Sequence, residues 1–170
     1  MTSVHIRPER PSDLPAIRDV NLGAFGQTTE ADLVDALRAC ASPTISLVAD
    51  AGGAIVGHIF FSPVTIAASA PPRIMGLAPM AVVPARQRQG IGGALVREGL
   101  EQARRLGFGA VVVLGHAEYY PRFGFAPASR FGLTCQYDVP DDVFMALELV
   151  DDSLRGTSGT IRYHAAFARM

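Results

Sequence analysis

The stretch from Ile74 to Leu114 narrows the fold more than any other part of the chain. Ile74 to Val83 is an apolar run that reads as a strand and stops at Pro84. Ala85-Arg86-Gln87-Arg88-Gln89-Gly90-Ile91-Gly92-Gly93 follows. A helical pattern then runs from about Ile91 to Leu106, with Leu95, Leu100, Ala103 and Leu106 on one side and Gly107 as its stop. Ala110 to Leu114 is continuously apolar, which suits a fully buried, parallel strand. Strand, glycine-rich turn, helix and strand in this order form a β-loop-α-β crossover. Pro79 sits inside the first strand and cannot donate to a ladder, so that strand should bulge or part from a neighbour there.

Around this unit the pattern is mixed. Val4 to Arg7 alternates as an opening strand. Ser12 can cap a helix with Leu14, Ile17, Val20 and Leu22 on one face, ending near Gly23. A second helix is expected from Glu30 to Ala39, with Leu33, Val34 and Leu37 inward. Ile45 to Ala49 and Ala54 to Ala67 read as a hairpin about Asp50-Ala51-Gly52-Gly53, the second strand breaking at Ser62-Pro63. Later strands are expected at Leu133 to Tyr137, Val143 to Leu149 and Ile161 to His164. The expected fold is α+β, one domain over residues 1–170, with antiparallel strands first and helices on both faces of a mixed sheet.

Composition removes several function classes. At 170 residues, 49% hydrophobic and 18% charged, the chain is globular in type. A formal net charge of -1 without a basic run argues against a nucleic-acid binder. No stretch approaches a membrane span, and Met1 to Arg10 lacks the apolar run of a signal peptide. Cys40 and Cys135 have no metal-type spacing and read as small buried hydrophobes, in keeping with a reducing cytoplasm. No metal motif is present. All 15 basic residues are arginine, which excludes the lysine of a Walker A loop.

The glycine-rich turn carries the strongest chemical signal. Glycines allow positive φ and close approach of a ligand, and free N–H groups at a helix start favour an anion such as a diphosphate. By itself such a turn can equally serve packing. A dinucleotide fingerprint would place a third glycine where Ala94-Leu95-Val96 stands.

Gln87-x-x-Gly90-x-Gly92, after Met80 to Pro84 and before a helix, resembles the (Q/R)xxGx(G/A) signature of GNAT-superfamily N-acetyltransferases. Tyr120, five residues before Phe125 of a Gly124-Phe125 pair, resembles the family's second marker. The wider spelling, including Val113 to Tyr120 and Tyr163 to Phe167, is similar to the bacterial YhbS-like branch. The resemblance implies the GNAT-type acyl-CoA N-acyltransferase fold and acetyl-CoA as cosubstrate. It implies that Met80, Ala81 and Val82 hold the acyl arm. Gln87, Arg88, Gln89, Gly90, Ile91, Gly92 and Gly93 would hold the pyrophosphate. Many relatives carry an asparagine between the buried strand and the tyrosine; here only Gly115 to Tyr119 intervene, and none is asparagine.

Acyl transfer to an amine requires a polarised carbonyl, a neutral amine and a proton for the leaving thiolate. Tyr120 is the expected general acid, Tyr119 reading as a packing residue. Glu30, after the Gly26 to Thr29 stretch, and His116, after the buried strand, are alternative bases beside a water chain; His58 reads as a satisfied core histidine. A non-catalytic acyl-CoA-binding module is the alternative function. The acceptor amine is not legible. A homodimer paired through the C-terminal strand is a further expectation.

Overall fold

The computed structural model describes residues 3–169. Its elements are β1 (Val4–Pro8), α1 (Leu14–Phe25), α2 (Thr29–Cys40), β2 (Ile45–Ala51), β3 (Ala54–Ile66), β4 (Ile74–Val82) and α3 (Ile91–Arg105). After these come β5 (Ala110–Leu114), β6 (Ala126–Pro127), β7 (Leu133–Cys135), β8 (Phe144–Glu148) and β9 (Gly159–Arg162). The main sheet runs β1-β2-β3-β4-β5-β8-β6. Its pairings are antiparallel except β4 with β5, as the buried apolar run of β5 predicts. On one face α3 packs Leu95, Val96 and Ala103 against Leu47, Ile59 and Phe61. On the other, Ile17 of α1 and Leu33, Val34 and Leu37 of α2 meet Val48, Phe60 and Val112. Among the described residues, no helix is long and apolar enough to cross a membrane.

Several local expectations are corrected. α1 continues past Gly23 to Phe25, because Gly26, at φ 71°, supplies the left-handed stop. Asp13, not Ser12, organises its start: its carboxylate accepts from the Arg10 amide at 2.7 Å and from the buried Arg7 guanidinium at 2.8 and 3.1 Å. β3 runs unbroken through Ser62-Pro63, with Pro63 opposite Met75. Leu14 and Leu106 are exposed, and Gly99 takes the inward place on α3, since a Cβ there would fall 2.2 Å from the Phe61 ring. Cys40 is exposed at the end of α2 and Cys135 half-buried, so neither is a core residue. Both edges of β9 are used within the chain, by β3 and by β7.

A polar string crosses the α1–α2 face. Asn21 Nδ2 donates to the Ile17 carbonyl at 3.0 Å and meets His58 Nδ1 at 3.3 Å; His58 Nε2 meets Ser46 Oγ at 2.9 Å. Ser46 in turn contacts Glu9, which Arg38 grips through Nε and Nη2, both at 2.9 Å. With an amide N–H aimed at Nδ1, the neutral His58 tautomer carries its hydrogen on Nε2. Burial pulls its pKa down to about 3, despite the nearby Glu9 carboxylate.

The folded pKa of His58 lies below the unfolded one, so its neutral burial stabilises fully above the unfolded value and loses that stability as pH falls. Denaturation with urea should lose about 2 kcal/mol between about pH 7 and about pH 5 from this residue. His58→Gln should remove that slope; a slope equal to the parent's would assign it elsewhere.

Candidate active site

The site begins where the sheet opens. β4 and β5 pair from Ile74/Ala110 to Leu77/Val113 and no further. Ala78 and Pro79 form a bulge there: on β3 one residue separates Ile59 from Phe61, while their partners Met80 and Leu77 enclose two. Past the bulge β4 remains paired with β3 through Met80, Ala81 and Val82, and among the described residues its edge toward β5 has no strand partner. β5 ends at Leu114, and the Gly115 amide turns away to the Val143 carbonyl at 3.0 Å. A cleft of about 920 Å³ fills this opening, with α1, α2, α3 and the turn after β5 contributing to its walls.

At the α3 end of the cleft the backbone is arranged for an anion. Gly90, at φ 82°, and Arg88, at φ 63°, carry the chain into the helix in left-handed conformations. The first bond of α3 runs from the Ala94 amide to the Gly90 carbonyl at 3.1 Å, and among the described residues the amides of Arg88 to Gly93 meet no other group. Free amides at a helix start carry the positive end of its dipole, which suits a diphosphate.

The side chains of this segment divide by role. The side chain of Ile91 is buried in the core. Gln87 Nε2 donates to the Val82 carbonyl at 3.0 Å, bracing the loop against β4. Gln89 accepts from Arg86 at 3.0 Å. Met80, Ala81, Val82, Gln87, Arg88, Gly90, Ile91, Gly92 and Gly93 all line the cleft, while Gln89 lies outside its lining.

The tyrosines lie across from this loop. Residues 120–123 form one 3₁₀ turn, and at its start the Tyr119 and Tyr120 amides both donate to the His116 carbonyl. Tyr120 is 7% exposed and stands edge-on to Phe125, ring centres 5.6 Å apart, at the cleft wall. Burial pushes its pKa up to about 12, so the phenol holds its proton. Gly115 makes room for it: a Cβ there would lie 2.3 Å from Tyr120 Cε2.

Tyr119 packs edge-on against Tyr120 and Phe123 and also reaches the start of α3. Its hydroxyl lies 3.0 Å from where a Cβ on Gly92 would stand, over the start of α3, and Arg122 covers its ring at 4.4 Å. The sequence signal was only its position beside Tyr120, which does not reveal where a hydroxyl points.

The two candidate bases differ. Glu30 is buried at 8% exposure, on the α1–α2 face of the cleft, where Gln27 Nε2 donates to its oxygens at 2.9 and 3.3 Å. His116 also borders the cleft but is exposed. His58 belongs to the polar string, and Glu118 is exposed.

This arrangement has clear relatives. The model of the Acetyltransferase (GNAT) family matches residues 14–125. The chain belongs to the GNAT acetyltransferase family. By sequence this GNAT protein is 38% identical to the uncharacterised N-acetyltransferase YhbS of Escherichia coli K12, over 96% of this chain and 98% of that one. It is 44% identical to the E. coli N-acetyltransferase YjhQ, over 77% of this chain and 75% of that one. The crystal structure of E. coli YhbS in complex with CoA superposes with a TM-score of 0.93 at 35% identity, covering 100% and 94% of the two chains. A Brucella melitensis GNAT acetyltransferase in complex with acetyl-CoA gives 0.81 at 42% identity, covering 98% and 99%. The protein is an N-acetyltransferase by family, with the expected mixed fold.

Gly115→Ala tests the seating of Tyr120. Overpacking should cost about 1–3 kcal/mol in chemical denaturation. Acetyl transfer, followed by thiol release, should fall at least about tenfold as the ring is displaced.

Proposed function

We propose that the protein transfers the acetyl group of acetyl-CoA directly to a primary amine, both substrates being bound together in the split between β4 and β5. The run of unpartnered amides from Arg88 to Gly93 carries this reading: it fits the diphosphate, while the unpaired edge of β4 fits the amide-bearing arm. Ala81 spends its backbone groups on His58 of β3, and the Val82 carbonyl is engaged by Gln87, which leaves the backbone of Met80 and the Val82 amide for that arm. The relatives' complexes with CoA and acetyl-CoA support the same cosubstrate. Acetyl-CoA supplies an activated thioester carbonyl and a thiolate leaving group.

The chain's groups then have these roles. N–H groups at the bulged β4 edge polarise the carbonyl oxygen. Glu30 faces the incoming amine and takes its proton as the C–N bond forms. Tyr120, fully protonated at working pH, gives its proton to sulfur as the C–S bond breaks, so no charge is left on either product. The Tyr119 hydroxyl adds a donor at the diphosphate. His116, at the exposed rim, passes protons to solvent.

Tyr120→Phe should lower kcat by about 10²–10⁴-fold and leave the calorimetric Kd for acetyl-CoA unchanged. Unchanged turnover would take the phenol out of the reaction. Tyr119→Phe should instead raise the KM for acetyl-CoA about tenfold at constant kcat, and spare S-acetylpantetheine, which lacks the diphosphate.

A further inference from the structure

The two ends of the cleft carry opposite charge. Its arginines, Arg86, Arg88, Arg97 and Arg122, belong to the loop before α3, to α3 itself and to the turn after Tyr120. The wall built by α1 and α2 contains Ala24, Phe25 and Glu30 and no cation.

Glu30 is unlike the other sequestered carboxylates. Asp13 is gripped by Arg7, and the half-buried Glu9 by Arg38. Glu30, as withdrawn from water as Asp13, receives a neutral amide from Gln27 and, among the described residues, no cation. A buried carboxylate without a counter-ion is costly, and this one borders the cleft. Beside it the wall is apolar where it meets water. Of the five large hydrophobic residues that are exposed among the described residues, Phe25 at 40% and Leu114 at 36% are the two on this cleft. Exposed apolar surface at the rim of a cleft marks a ligand contact.

We propose that the acceptor is a small monoamine, captured as its ammonium ion by Glu30 and carried on an aryl or branched-alkyl body that covers Phe25 and Leu114, with no anionic group next to the nitrogen. One proton passes to solvent at the open cleft before attack, which leaves the neutral amine whose second proton Glu30 takes. This rests on the acetyl-transfer reading above. A free amino acid would set its carboxylate against Glu30, on a wall without a cation. A polyamine or amino sugar would need several carboxylates and no apolar wall, and this side of the cleft offers one carboxylate together with the exposed apolar side chains of Phe25 and Leu114.

Thiol release from acetyl-CoA with three amines tests the proposal. Phenethylamine has the stated chemistry, phenylalanine adds a carboxylate beside the same nitrogen, and spermidine keeps the charge without the apolar body. The kcat/KM for phenethylamine should exceed both others by at least about 100-fold. Glu30→Gln should raise the KM for phenethylamine about tenfold or more with the Kd for acetyl-CoA unchanged, and Phe25→Ala should raise that KM severalfold. Equal or better turnover of phenylalanine or spermidine overturns the acceptor class and leaves acetyl transfer standing. So does the absence of turnover with all three while acetyl-CoA binds. Failure of acetyl-CoA to bind at all overturns the reading beneath it instead.

Discussion

The parting of β4 from β5 is the constraint on which the site depends. A parallel pair that stayed in register would close the sheet and bury its own backbone groups. Here the ladder stops after Leu77/Val113, and the bulge at Ala78-Pro79 turns the rest of β4 onto β3 alone. Proline has no N–H to lose at this point, which makes the departure inexpensive. The result is a gap that passes through the sheet, with one mouth toward α3 and the other toward α1 and α2.

That gap joins two surfaces a closed sheet would separate. On the α3 side stand free amides and arginines; on the α1–α2 side stand one carboxylate and an apolar rim. The proposed reaction uses this division: a donor rich in phosphate would enter from one side and a positively charged acceptor from the other. Tyr120 stands at the seam, positioned by Phe125 and by the space that Gly115 leaves. Field, shape and proton inventory agree along one path.

Much of this was legible in the residues. The crossover, the parallel pairing of β5 and the disturbance at Pro79 follow from periodicity and from proline's missing donor. The glycine-rich turn before a helix was legible as a pattern, while its reading as a phosphate loop rests on the resemblance of Gln87-x-x-Gly90-x-Gly92 to the GNAT signature. Other features depend on tertiary contacts that no local pattern encodes. Gly99 reads as a weak spot in α3 until the Phe61 ring is found above it. Gln87 is part of the loop signature, yet its amide turns back to Val82, and Tyr119 resembles a core residue until its hydroxyl is placed over Gly92. The short 3₁₀ turns and the two-residue β6 are too brief to leave a periodic trace. At the C-terminal end of α1, Gly23 and Gly26 compete as stops, and only the backbone shows which residue adopts positive φ.

The guanidinium lining of the donor end has a chemical side effect. Guanidinium groups keep their charge at any physiological pH and make poor nucleophiles, whereas a neutral lysine amine competes for activated acyl groups. A chain that meets the phosphates of its cosubstrate with arginine, and contains no lysine, offers no side-chain amine for a thioester to acylate; the exposed thiol of Cys40 is the nucleophile that remains. Acylation of its own side-chain amines is thereby removed as a competing reaction.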